Sequence, residues 1–344
     1  MLHIIPGKCE KALNWQKTFV REGENVILVT SNPLLYPWVF LYLCFKNKNI
    51  IFYVRYLNDF KSFTKSLISF LSFYMLYFCK LRGNEIHWII HNIDTESTSN
   101  FPYFTIHKRK FLLSSAQKIF VTSPVLIDVA YKEIGRRPDG VMPLRNTWDN
   151  LDVKLSHQCN SKIKKFRERL EDESKKVMIG LCVTSVDHKC LHLKIFDQIF
   201  KKYSSKSLKI GIVFIGNFSA SSEIGLVRDF YVKSSKFDVL VIDMEVKVDE
   251  KVLLPNIDFM YRSLSDYSTP LSVMICSRLR LPLVTHRYGA TPLFIDKYKI
   301  GFVVDDFNEL TDFWDFMSNW KNSLWSKFDF DHQLKRNLNI NLKS

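Results

Sequence analysis

The chain has 344 residues, of which 47% are hydrophobic and 24% charged, with a net charge of +14. This excludes a disordered or fibrous chain and leaves room for two domains with a substantial core. Seven scattered Cys without a CxxC pair exclude a disulfide scaffold and a thiolate zinc site, and read as reduced thiols in a cytosolic protein.

The opening MLHIIPGKCEKALNW reads as a first strand followed by a polar turn, and it has no apolar run of the kind a secretory signal needs. Asn25 to Ser31 is a buried strand, Asn32-Pro33 a turn, and Leu34 to Phe45 a helix apolar over more than one face. Asn49 to Val54 is the next strand, which completes a βαβ unit. Phe63 to Leu81 is the most apolar run, and between Lys65 and Lys80 it is shorter than the ~20 residues a membrane span needs. It reads either as a core helix or as a helix partly immersed in a membrane interface. Glu85 to His91 is a strand ending in His91-Asn92, Lys118 to Thr122 another, Val125 to Ile134 an amphipathic helix, and Gly140 to Pro143 the last strand of a first domain.

Ile163, Phe166 and Leu170 form one stripe of an amphipathic surface helix. Strands follow at Lys176 to Leu181, Leu208 to Ile215 and Phe237 to Ile242, with a helix over Lys189 to Tyr203. Within Tyr261 to Val304 the pattern gives a polar turn, a helix from about Pro270 to Arg278, a strand at Leu281 to Thr285, a Gly-containing loop, a second short helix and a final strand. Ser268 or Thr269 is placed to cap the first of these helices. A helix N-terminus beside a strand's carboxyl end is where α/β proteins bind phosphorylated ligands. After Asp306 the chain reads as a helical tail to about Trp325. The expected class is therefore α/β, with two tandem Rossmann-like domains over 1–150 and 151–310 and a tail over 311–344.

More than half of the excess positive charge lies in the first 150 residues, which are also rich in aromatics. That combination suits an anionic partner such as a membrane surface or a phosphorylated lipid. No helix-turn-helix, zinc, RNA-recognition, Walker A or GxGxxG motif is present, so no nucleic-acid partner is expected.

In five places the order of residues is similar to that of bacterial polysaccharide glycosyltransferases with the glycosyltransferase-B fold. His91-Asn92 resembles their strand–HN; Met142-Pro143-Leu144-Arg145-Asn146 resembles the P-H-G-N that ends the first domain. Gly180 followed by Lys189 resembles the G…K entry to the second domain, and Phe214-Ile215-Gly216 the apolar strand that follows. Arg280 to Val284 with Gly289 and Gly301 resembles the donor-site G-x-P-V-I and G…G-x-V segments. The chain departs from many retaining members in having no carboxylate between Asp266 and Asp296, so retention or inversion is left open.

The resemblance implies a cleft between the domains, a nucleotide-sugar co-substrate, and no metal or other cofactor. It implies a saccharide acceptor linked to lipid, and a cytoplasmic protein attached peripherally to the inner membrane face. The donor set it implies is Thr184, Ser185, Lys189, Gly216, Asp266, Tyr267, Ser268, Thr269 and Leu271, with Arg287 and Tyr288 toward base or sugar. His91, Asp94 and Glu96 are the candidates for proton transfer from the acceptor hydroxyl. Lys65, Lys80, Arg82, Lys108, Arg109 and Lys110 flank apolar runs as the acceptor and membrane-facing cations. A nucleotide-sugar 2-epimerase and a non-catalytic glycan-assembly partner are the alternatives.

Overall fold

The computed structural model describes residues 1–7, 10–30, 32–55, 57, 60–94, 100–142, 144, 152–173, 176–183, 209–216, 238–244, 248–264 and 266–306. They fall into two compact units: Met1–Thr147 together with Tyr267–Thr269, and Trp148–Asp266 continued from Pro270. Each unit holds one six-stranded sheet, and every strand pairing in both sheets is parallel. The protein is α/β with two Rossmann-like domains.

The first unit runs β1 (Leu2–Pro6), α1 (Glu10–Arg21), β2 (Asn25–Val29), α2 (Tyr36–Lys46), β3 (Ile50–Val54) and α3 (Phe63–Leu81). It continues with β4 (Glu85–Ile90), α4 (Pro102–Ser115), β5 (Lys118–Val121), α5 (Ile127–Ile134) and β6 (Gly140–Val141). The sheet order is β2-β1-β3-β4-β5-β6. Every residue of β3 is buried, as a parallel strand covered on both faces requires.

One local reading is corrected. The expected polar turn after β1 is helix α1, which buries Ala12, Trp15 and Phe19 at helical spacing together with the polar Asn14 and Thr18. The Thr18 hydroxyl is satisfied by the Asn14 carbonyl at 2.9 Å. Helix α3 buries a stripe of mixed character, Ser66, Ser69 and Ser72 with Phe73, Leu76 and Cys79.

The second unit runs α6 (Val153–Glu173), β7 (Val177–Val183), β8 (Lys209–Gly216), β9 (Asp238–Asp243), α7 (Glu250–Leu253) and β10 (Phe259–Tyr261). It continues with α8 (Leu271–Leu279), β11 (Leu283–Thr285), α9 (Thr291–Tyr298) and β12 (Gly301–Val303). The sheet order is β12-β11-β10-β7-β8-β9. Helix α6 buries the expected stripe of Ile163, Phe166 and Leu170. It comes so close to β8 that a Cβ on Gly211 would lie 2.7 Å from Phe166 and Leu170 atoms. Asp258 accepts a hydrogen bond from the Ile179 amide at 2.8 Å and pairs with Arg167, locking β7 to α6. The expected helix over Lys189 to Tyr203 and the tail beyond Asp306 lie outside the described residues. No helix among the described residues is long and apolar enough to cross a membrane.

Candidate functional site

In an open parallel sheet, ligand loops gather outside the carboxyl ends of the strands, at the point where the strand order reverses. In the second sheet that point lies between β7 and β10. β7 leads toward Thr184, Ser185 and Lys189, which lie outside the described residues. β10 leads into Arg262 and Ser263, which the sequence patterns had not singled out. The Arg262 amide donates to the Val284 carbonyl at 2.9 Å, so its position is fixed by β11. The Arg262 side chain is half-buried, and its Nη1 is enclosed with no hydrogen-bond partner among the described residues. The Ser263 hydroxyl is in the same state, as are those of Ser272 in the first turn of α8 and Thr291 at the start of α9.

All four groups stand at the carboxyl end of one sheet. An enclosed polar group left without a partner costs about 1–3 kcal/mol, and a phosphate supplies the acceptor oxygens that satisfy an arginine and hydroxyls together. The sequence signal for Arg262 is positional: a lone arginine directly behind the buried triplet Phe259–Tyr261.

The other expected donor residues divide. Gly216 ends β8, and its carbonyl accepts from the Met244 amide at 2.9 Å. The Asp266 carbonyl accepts from the Ala290 amide at 3.1 Å, tying the loop before α8 to the loop before α9. Leu271 opens α8, whose first-turn amides carry the positive end of the helix dipole; the Val273 amide donates to the Pro270 carbonyl at 3.2 Å, and those of Leu271 and Ser272 precede the first intrahelical bond. The side-chain cap expected there is absent: the capping position is Pro270, with no side-chain bond. The Thr269 hydroxyl is instead 2.8 Å from that of Thr122, which accounts for its failure to cap.

Arg287 and Tyr288 are exposed on the loop leaving β11. Asp305 holds this loop, accepting from the Arg287 amide at 2.7 Å and lying 3.3 Å from Nδ1 of the fully buried His286. The Arg287 guanidinium makes an exposed ion pair with Asp296 at 3.4 Å, a contact weak enough to be exchanged for a ligand.

In the first sheet the order reverses between β1 and β3. β3 leads into Arg55, a buried residue unanticipated from sequence, which donates to the Pro6 carbonyl at 3.0 Å and lies over the Trp15 ring at 4.7 Å. Gly7, at φ +87°, makes the turn after β1 and leaves room there: a Cβ on it would stand 3.8 Å from Arg55 Nη1.

At the end of β4, His91 is buried with its ring 5.8 Å from that of Trp15. Asp94 is half-buried, and one carboxylate oxygen accepts from the Tyr267 amide at 3.2 Å. The Tyr267 carbonyl in turn accepts from the Ile93 amide at 3.2 Å. Tyr267–Thr269 thus belongs to the first unit by its contacts, although it lies late in the chain. Ser268 is half-buried within this turn. Glu96 lies outside the described residues.

The expected basic surface is smaller than six residues. Lys65, Arg82 and Lys110 are exposed, and Lys80 donates to the Ser115 carbonyl at 3.0 Å. Lys108 and Arg109 point inward and are buried. Lys108 donates to the Leu57 carbonyl and to the Ser69 hydroxyl. Arg109 donates to the carbonyls of Asn92, at 2.9 Å, and of Ile93, and so positions the loop that carries Asp94. Among the described residues no group of three or more His, Cys, Asp or Glu side chains converges to hold a metal ion.

No protein-family profile and no curated protein matches the chain. Solved structures do. Sucrose-phosphate synthase from Thermosynechococcus elongatus is similar at a TM-score of 0.61 and 11% identity, over 100% of this chain and 98% of that one. The catalytic domain of starch synthase IV from Arabidopsis thaliana, bound to ADP and acarbose, is similar at 0.56 and 10% identity, over 97% of each chain. A glycosyltransferase from Rickettsia africae is similar at 0.53 and 12% identity, over 98% of this chain and 96% of that one. Likeness at this level of identity is likeness of fold, and the fold shared over nearly the whole chain is the glycosyltransferase-B fold.

Proposed function

We propose that the chain is a glycosyltransferase that moves a sugar from a nucleotide-sugar donor to a saccharide acceptor. The observation that carries this is the enclosed Arg262 Nη1, without a hydrogen-bond partner among the described residues, at the order reversal of the second sheet, with Ser263, Ser272 and Thr291 at the same sheet end. As the acceptor oxygen attacks the anomeric carbon, the bond to the donor's β-phosphate breaks and the diphosphate leaves with added negative charge. Arg262 and the first-turn amides of α8 neutralise that charge without a metal. Lys189, with Thr184 and Ser185, contributes to the same phosphates, and Arg287 and Tyr288 contact the base or sugar. The acceptor proton goes to the His91–Glu96 loop, in which Asp94 is the carboxylate that the hydrogen bonds position.

The finer reading is an acceptor linked to lipid, in bacterial surface polysaccharide synthesis, with the protein attached peripherally to the inner membrane face. It is supported by the basic, aromatic first unit and the exposed Lys65, Arg82 and Lys110.

Thermal-shift screening with UDP, GDP, ADP, CMP and their sugars, followed by assay of nucleotide release, tests the proposal. Stabilisation by one nucleotide class and release of that nucleotide when acceptor is added is the expected result. Stabilisation without release under any acceptor favours the non-catalytic partner, and no stabilisation by any nucleotide removes the donor site.

A further inference from the structure

Helix α3 buries as many serines as apolar residues, with Phe73, Leu76 and Cys79 beside three of them. Its buried stripe contains Ser66, Ser69 and Ser72, while Ile68, Leu71, Tyr74, Phe78 and Leu81 are exposed at spacings of three and four. Those five residues fall on one face of a helix. The inward serines are fully used. The Ser66 hydroxyl exchanges hydrogen bonds with the backbone of Phe60, that of Ser72 donates to the Ser69 carbonyl, and that of Ser69 accepts from the buried Lys108.

Helix α2 continues the outward face. Trp38, Tyr42 and Phe45 are exposed at positions i, i+4 and i+7, with Trp38 at 69%. The two helices meet in it: the Phe45 and Phe78 ring centroids are 6.2 Å apart, and Arg82 lies 4.9 Å over Phe45. Scattered exposed apolar residues need no explanation, but a contiguous aromatic and aliphatic face does.

The charge around this face identifies what covers it. Helices α2, α3 and α4 contain no Asp or Glu at all. Their exposed charges are Lys46, Lys65 and Lys110, with Arg82 at the α3 C-terminus. Tryptophan and tyrosine between lysines, with aliphatic residues beside them and no carboxylate, is the composition of a helix lying in the headgroup region of an anionic bilayer. Aromatics are enriched at protein–protein interfaces as well, but lysine is depleted there and is favoured beside anionic headgroups.

We infer that the joint outward face of α2 and α3 is a docking surface for an anionic lipid bilayer. The aromatic residues sit at headgroup depth, and Lys46, Lys65 and Arg82 contact lipid phosphates. This deepens the lipid-linked acceptor part of the proposed function and rests on it for its purpose. The binding itself needs neither donor nor turnover.

The test is co-sedimentation of the full chain with phosphatidylcholine vesicles, with and without phosphatidylglycerol, in low and high salt. The wild type is expected to pellet with the anionic vesicles and to be released by salt. The triple variant Leu71→Ser, Tyr74→Ser, Phe78→Ser should lose about tenfold or more in partitioning, with the circular dichroism spectrum retained. Lys65→Glu with Arg82→Glu should lose binding most at low salt. Tyr131→Ser, an exposed aromatic on α5, should bind as the wild type does. Quenching of tryptophan fluorescence by brominated lipid should fall in Trp38→Phe.

Equal pelleting of the triple variant and the wild type would overturn the inference. So would a wild type that stays in the supernatant, or one that forms a concentration-dependent dimer abolished by the triple variant; that last result assigns the face to a second copy of the chain. Nucleotide-induced stabilisation, measured on the same samples, reports separately on the donor site. Failure of one therefore leaves the other standing.

Discussion

Lys108 Nζ lies 2.9 Å from Ser69 Oγ, inside the first unit. A buried ammonium needs acceptors, and a close-packed helix pair has few to offer besides a small hydroxyl and a carbonyl. Lys108 takes both, from Ser69 and Leu57, and lies 5.4 Å over the Phe73 ring. This pairing explains why α3 turns Ser69 inward; Ser66 and Ser72 beside it bond to nearby backbone. Lys108→Met should leave the Leu57 carbonyl without its partner and destabilise the first unit by about 2 kcal/mol. Urea unfolding followed through the buried Trp15 and Trp88 measures it; an unchanged midpoint would show that the bonds contribute nothing.

Much of the fold was legible because continuous apolar runs in a parallel sheet carry a strong signal. Strands β2, β3, β4, β5, β7, β8 and β9 and helices α3, α5, α8 and α9 stand within a few residues of where pattern alone puts them, and α6 carries the expected stripe but begins earlier, at Val153. α1 was illegible because its inward face mixes Asn14 and Thr18 with Ala12, Trp15 and Phe19, so no clean period appears. The inward turn of Ser69 in α3 was illegible because its partner, Lys108, lies on another helix. The same holds for the site. The loop at Asp266 to Leu271 could be read from its polar turn and following helix, but Arg262 gains meaning only from the order of strands around β10. Composition cannot tell which cation turns inward, so Lys108 and Arg109 read from sequence as surface residues.

Gly301 sits where β12 passes β11, and a Cβ there would stand 1.8 Å from the Leu283 carbonyl oxygen. Backbone cannot yield as a flexible side chain can. Gly301→Ala should therefore destabilise the second unit by about 3 kcal/mol or more. Gly180→Ala, which would meet the Phe259 ring at 2.4 Å, should cost somewhat less because the ring has room to rotate. Thermal melts of both variants would rank them; a Gly301→Ala chain as stable as the wild type contradicts the packing of β11 on β12.

His3 and His87 make the first unit sensitive to acid. Burial lowers the pKa of both, outweighing the upward pull of Glu24 on His3 and of Glu85 on His87. The neutral rings suit their partners: His3 is 3.1 Å from the Tyr53 hydroxyl and 3.3 Å from Glu24, and His87 is 2.9 Å from Glu85. With folded values below the ordinary 6.5, the unfolded chain takes up protons first as pH falls. Stability is complete above about pH 6.5 and declines below it. Melting temperature should drop between neutral pH and pH 5.5, with a shallower slope in His87→Gln. A flat profile, or a rise on acidification, would mean that the carboxylates dominate instead.

The most direct measurement is calorimetric titration of the full chain with whichever nucleoside diphosphate stabilises it, in the wild type and in Arg262→Met. Methionine fills the space of the arginine stem and removes only the guanidinium. If Arg262 holds the donor's phosphates, Arg262→Met keeps or raises the melting temperature of the ligand-free chain, since an unpartnered enclosed group is removed, and weakens nucleotide binding by tenfold or more, the loss expected of one charge-assisted phosphate contact. Equal affinity in the two proteins, or no nucleotide binding by the wild type, contradicts it.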